Sequence, residues 1–175
     1  MEPQIRFCTS ADGTRIAYAT LEAGPPLVQV SGWGGNMEAF WRHPEYHTYL
    51  ESLSRGRLYI EFDRRGTGAS QREVSDFSLD AQVADVAAVA DQLQLEQFDL
   101  LGGTDGAAIA VAYAAQRPER VSRLVLWGSY PWGKQIAGPE AIWTLMISTA
   151  RLGSTSPLSA FLPSIATSSC SRALT

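Results

Sequence analysis

An apolar run, FDLLG (98–102), passes through a glycine-rich join into an alanine-rich stretch, AAIAVAYAAQR (107–117), and then into a second apolar run, VSRLVLWG (121–128). A strand, a helix and a strand in so short a span belong to a mostly parallel sheet whose faces are covered by helices. The join, Gly102-Gly103-Thr104-Asp105-Gly106, leaves no room for slack. A strand that turns straight into a helix brings their backbones so close that Gly102 and Gly106 must lack side chains, while residue 104 is pushed above the sheet.

The upstream residues repeat the alternation. IRFCTS (5–10) and TRIAYATL (14–21), joined at Ala11-Asp12-Gly13, read as a hairpin in which the Asp-Gly pair supplies positive φ angles. PLVQVSG (26–32) is a strand that ends in the glycine-rich SGWGG, YHTYLESLS (46–54) has helical spacing, and RLYIEFD (57–63) is again a strand. The spacing predicts a helix over 78–95, with Leu79, Val83, Val86, Ala90 and Leu93 on one stripe and Asp80, Asp85 and Asp91 off it. Ser78 is placed to cap it, with Asp80 in the first turn where the helix dipole favours an acid. The fold class is therefore α/β, a mostly parallel sheet with helices on both faces.

Composition narrows the function. The net charge is -4 at a pI near 5.2, so the basic face needed for nucleic acid or an anionic membrane is not expected. No basic-then-apolar leader opens the sequence, and AIWTLMI (141–147) is far short of the ~20 residues that span a bilayer. A cytoplasmic location is expected. Cys8 and Cys170 stand at opposite ends without a C-x-x-C spacing, so neither zinc nor dithiol chemistry is indicated. The join is not G-x-G-x-x-G, so no dinucleotide is expected, nor any other cofactor or metal. Thirteen arginines against the single Lys134 suggest a GC-rich bacterial genome.

The join does match another pattern, the nucleophile elbow G-x-S-x-G, with threonine in the serine position. The helix N-terminus beneath such a turn offers backbone N–H groups to a developing oxyanion. Together with DGTRIAYAT (12–20), VSGWGGNMEAFWRHPEYHTYLESLS (30–54), FDRRGTGAS (62–70) and QRPERVSRLVLWGSY (116–130), the elbow makes residues ~5–133 resemble the α/β-hydrolases. Trp33, Asn36, Glu38, Trp41 and Pro44 narrow the resemblance to hydrolase-like domains found beside helix-turn-helix or nucleotide-cyclase domains in bacterial regulators. The resemblance implies Thr104 at the nucleophile position, an oxyanion hole from the N–H groups of Trp33 and Asp105, and a small-molecule substrate or ligand.

Each residue also has a plainer reading. Asp63, Gly66 and Gly68 are expected to shape a loop, Thr104 to cap a helix, Asp105 to be a solvated side chain, and His43 and His47 to pack or lie on the surface. In this fold the triad runs nucleophile, acid, histidine. No histidine follows Thr104, and the later carboxylates beyond Asp105 are Glu119 and Glu140 alone. A hydroxyl is a poor nucleophile at neutral pH without a base. The resemblance implies that complete members continue through a cap into two further strands carrying the acid and histidine. The expected division is therefore 1–136 for the N-terminal part of the core, 137–150 for the start of the cap, and 151–175 for an irregular serine-rich tail, the fold being cut short after the strand that follows the elbow helix. The readings this leaves are an incomplete, inactive ester-type hydrolase, a ligand-sensing domain from a regulator or cyclase, and a fragment without function. Strand 121–127, central in a complete member, would be left as an apolar edge open to self-association.

Overall fold

The hairpin at the start depends on one residue. In the computed structural model, which describes residues 4–32 and 35–129, β1 (Arg6–Thr9) and β2 (Arg15–Leu21) pair antiparallel. The amide of Gly13 donates to Ser10 O at 2.9 Å, and that of Ser10 to Thr14 O at 2.8 Å. This is a three-residue loop, in which only Gly13 needs positive φ, at 87°. Asp12 keeps an ordinary φ and instead accepts from the Thr14 amide through Oδ1. The expected Asp-Gly turn thus becomes a wider loop with a glycine bulge.

The remaining elements follow the sequence closely, except for two short helical turns, at Met37–Phe40 and Pro118–Arg120, that the residue pattern does not mark. The strands and α-helices are β3 (Pro26–Val30), a single-turn α1 (Met37–Phe40), α2 (Pro44–Ser54), β4 (Leu58–Phe62), α3 (Leu79–Gln92), β5 (Phe98–Gly103), α4 (Gly106–Gln116) and β6 (Val121–Trp127). Helix α2 starts two residues before the expected span because Pro44, with no N–H to satisfy, sits comfortably in the first turn. Ser78 caps α3 as expected, its Oγ accepting from the Ala81 amide at 3.2 Å.

The sheet order is β1-β2-β4-β3-β5-β6, antiparallel at β1-β2 and β2-β4 and parallel from β4 through β6. One face packs Val28, Val30, Ile60, Phe98 and Leu100 against α3 and α4; the other packs Ala17, Ala19, Leu27 and Tyr59 against Leu50 and Leu53 of α2. Strand β6 lies at one edge, with no strand paired to its outer side among the described residues. It is half-exposed apart from the buried Val125, and Trp127 is 57% exposed.

Two assignments on α3 are corrected. Leu79 is exposed, and Asp85, expected off the apolar stripe, is buried. Asp85 is there to meet Arg65, whose side chain is fully buried: Arg65 Nε and Nη2 each donate to the carboxylate at 2.7 Å. Nη1 of Arg65 also reaches Asp12 Oδ2 at 2.8 Å and Asp76 O at 2.9 Å, tying the hairpin turn to the loop before α3. The expected cap start at 137–150 and the tail at 151–175 lie outside the described residues.

Candidate active site

Local sterics build the elbow. A Cβ on Gly102 would stand 2.7 Å from Ala107 Cα and 2.8 Å from Ala110 Cβ, and one on Gly106 would stand 2.5 Å from Val30 O and 2.6 Å from Ser31 O. Strand β5, helix α4 and the end of β3 can approach so closely only because both positions are glycine. Between them Thr104 adopts φ 49°, a left-handed conformation that a β-branched residue rarely occupies. Its amide donates to Trp127 O of β6 at 2.8 Å, which pins the turn to the neighbouring strand. Thr104 is exposed at the top of the sheet, and Gly32 lies directly against its hydroxyl, leaving no space for a side chain there.

The hydroxyl does not cap the helix. Thr104 Oγ1 donates to Asp105 Oδ1 at 3.1 Å, and Asp105 itself holds the N-cap position of α4 without a side-chain capping bond. The expectation of a merely solvated Asp105 is corrected too: its Oδ2 is 2.6 Å from Arg64 Nη1. The Arg64 guanidinium is held in turn by Gln82 of α3, through Nε at 3.0 Å and through Nη2. Thr104, Asp105, Arg64 and Gln82 thus form a continuous polar chain across the mouth of the elbow.

Asp63 shapes its loop. Its carboxylate accepts from the amides of Met37 at 2.9 Å and Ala69 at 2.8 Å, Gly68 approaches it too closely to carry a side chain, and burial raises its pKa. His47 bonds the Trp41 carbonyl and His43 precedes α2 as its N-cap residue, so neither joins the elbow cluster. Trp33, expected to share the oxyanion hole, lies outside the described residues; Asp105, its expected partner, stands at the N-terminus of α4.

A cleft of about 340 Å³ opens beside Thr104, lined by Gln29, Ser31, Phe40, Tyr46, Tyr49, Leu101 and Trp127 among others. A larger recess of about 490 Å³ lies between α2 and the end of β2, but Thr104 does not line it. Beneath the elbow cleft sits Glu61, only 2% exposed. Its Oε1 accepts from Tyr46 Oη at 2.6 Å and from Ser31 Oγ at 3.3 Å. Burial pushes its pKa up to about 7, against the hydrogen bonds of Tyr46 and Ser31 and the nearby Trp41 indole. Trp41 Nε1 and Glu61 Oε2 both lack a partner at hydrogen-bonding geometry among the described residues. Tyr49 and Tyr59 both donate to Gln29 Oε1 at 2.9 Å. Burial and the charge of Glu61 raise the pKa of Tyr46, Tyr49 and Tyr59.

None of Glu61, Ser31, Gln29 or Arg64 stood out as a site residue in the sequence. The signal was there: an acid inside LYIEF and an amide inside PLVQV interrupt strands that otherwise read as apolar. A strand buried on both faces admits such residues only when something satisfies them.

The elbow geometry and the parallel sheet behind it point to one family. A family model of the α/β-hydrolase fold matches residues 25–162. The chain belongs to the α/β-hydrolase fold family. It is 36% identical over 137 residues to 2-hydroxy-6-oxo-2,4-heptadienoate hydrolase of Pseudomonas putida, covering 76% of this chain and 48% of that relative. It is 35% identical over 145 residues to 2-hydroxymuconate semialdehyde hydrolase of a Pseudomonas species, covering 81% and 50%. The chain thus spans about half the length of these curated relatives. Among solved structures, an esterase from Exiguobacterium antarcticum superposes with a TM-score of 0.62 at 31% identity over 70% of this α/β-hydrolase chain and 44% of that one. The meta-cleavage product hydrolase CumD of Pseudomonas fluorescens gives 0.63 at 28% identity, over 71% and 45%. No three metal-ligating side chains cluster, and no helix is long and apolar enough to cross a membrane, among the described residues.

Proposed function

We propose that this α/β-hydrolase chain binds a small molecule in the cleft beside Thr104 and, in these 175 residues, does not turn it over. The whole protein would descend from ester-type hydrolases of bacterial cytoplasm, and the oxyanion pair would be the backbone N–H groups of Asp105 and Trp33. One observation carries the reading: the Thr104 hydroxyl donates to Asp105, and Arg64 neutralises that carboxylate at 2.6 Å. A general base must be free to take the hydroxyl proton. The Asp105 carboxylate is instead held by the Arg64 guanidinium, and no imidazole follows Thr104 in the sequence. A ligand-sensing role fits such a site, since a sensor needs the cleft and not the serine.

A hydrolytic reading has its own support in the left-handed φ of 49° at Thr104, a conformation that costs of order 1–3 kcal/mol and gathers at reactive sites. The two are separated by turnover of a small activated ester. The binding reading expects the chain to match a Thr104→Ala control, and Thr104→Ser to add nothing because the hydroxyl still lacks a base. Turnover clearly above the control would establish hydrolysis, and strong activity in Thr104→Ser would mean that the methyl group alone had blocked it.

A further inference from the structure

The hydroxyls on the cleft floor spend their hydrogens inward. Tyr46 and Ser31 donate to Glu61, and Tyr49 donates to Gln29. Gln29 Nε2 in turn donates to Ser31 Oγ at 3.2 Å. A hydroxyl has one hydrogen, so what remains on these oxygens is lone pairs. The floor is therefore rich in acceptors.

The charge beneath it points the same way. Asp12, Asp85, Asp91, Asp99 and Asp105 each lie within ion-pair distance of an arginine. Glu61 is almost fully buried, has the Trp41 indole near its carboxyl, and meets no Arg or Lys among the described residues. Its surroundings are the hydroxyls of Tyr46 and Tyr49 from α2, Ser31 and Gln29 from the β3 side, Trp41 after α1, and Tyr59 and Asp63 from its own strand and its end. None of these is a cation. A buried carboxylate without a cation is costly to ionise. Phe40, Tyr46 and Tyr49 form two successive tilted ring pairs, with centroids 5.3 and 5.5 Å apart, and aromatic faces attract organic cations.

We propose that the cleft beside Thr104 takes a small molecule bearing a primary ammonium group, accepted by the lone pairs of Ser31, Tyr46 and Tyr49, with Glu61 as its counter-charge. The proposal rests on the small-molecule reading of the cleft above. An anionic ligand would meet lone pairs and a carboxylate, and would be disfavoured. Because Glu61 titrates near 7, the ammonium competes with a proton, and binding should strengthen as pH rises.

The test is calorimetric titration of the 175-residue chain with 2-phenylethylammonium and with neutral 2-phenylethanol, at pH 5.5 and pH 8. The ammonium stays protonated throughout, so its affinity should rise up to about thirtyfold with the ionised fraction of Glu61, while the alcohol stays weak and flat. Glu61→Gln should abolish that rise. Should this variant fail to fold, carbon-13 titration of the Glu61 carboxyl in the unaltered chain gives the same answer: the ammonium should lower its midpoint. Equal binding of alcohol and ammonium at pH 8, an unmoved midpoint, or a pH rise surviving in Glu61→Gln overturns the ammonium proposal and leaves the small-molecule reading standing. Binding of neither probe overturns both.

Discussion

Arg65 is the residue whose loss should cost this fold most. Its side chain is fully buried and donates to Asp85, Asp12, the carbonyls of Asp76 and Ala81, and Ser10 Oγ. Arg65→Met keeps the aliphatic stem but strands the Asp85 carboxylate, which is 1% exposed, without its cation. Breaking a buried pair by removing one partner costs about 3–5 kcal/mol, because the remaining charge stays desolvated. For a domain of this size each kcal/mol lowers Tm by roughly 2–4 °C, so a fall of about 6–20 °C is expected by calorimetry. The double change Arg65→Met with Asp85→Leu removes both charges and should recover most of the loss. The exposed Asp12 contact adds a minor acid-side contribution. The Arg65 hydrogen bond lowers the Asp12 pKa to about 2 from 3.8, so this part is present above 3.8 and is lost as pH falls through 2. A single-mutant loss under about 1 kcal/mol would refute the buried-charge reasoning. A double mutant no better than the single would show that shape, not charge, holds this junction.

Gly106→Ala would drive a methyl into the carbonyls of Val30 and Ser31, backbone atoms that cannot swing away, and should cost about 3 kcal/mol or more by urea unfolding, whereas a loss under 1 kcal/mol would mean the elbow relaxes freely. Glu61, raised to about 7 from 4.5, holds its proton more tightly when folded, so stability is full below 4.5 and declines by about 3 kcal/mol as pH rises through 7; Glu61→Gln should flatten that decline, and an unchanged profile would clear Glu61 of responsibility. The β6 edge, with Trp127 57% exposed, should drive self-association visible by light scattering, and Trp127→Glu should reduce it; a monodisperse monomer with a sharp unfolding transition would show the edge to be covered.

Much of this molecule is legible one segment at a time. The glycines at 102 and 106, the cap at Ser78 and the alternation of apolar runs are local matters of φ, sterics and periodicity, and they determine an α/β sheet with a tight strand–helix turn at Thr104. What the sequence could not determine is which polar residues meet. Asp85 reads as a solvent-facing acid by its place off the helix stripe, yet it is buried because Arg65, twenty residues away, arrives to pair with it. Asp105 meets Arg64 across 41 positions, and Glu61 gathers Ser31 and Tyr46 from 30 and 15 positions away. Helical and strand periods encode only which face a residue takes. Whether a charge on that face is solvated, neutralised or left waiting for a partner depends on side chains that only the folded sheet brings within hydrogen-bonding distance of one another.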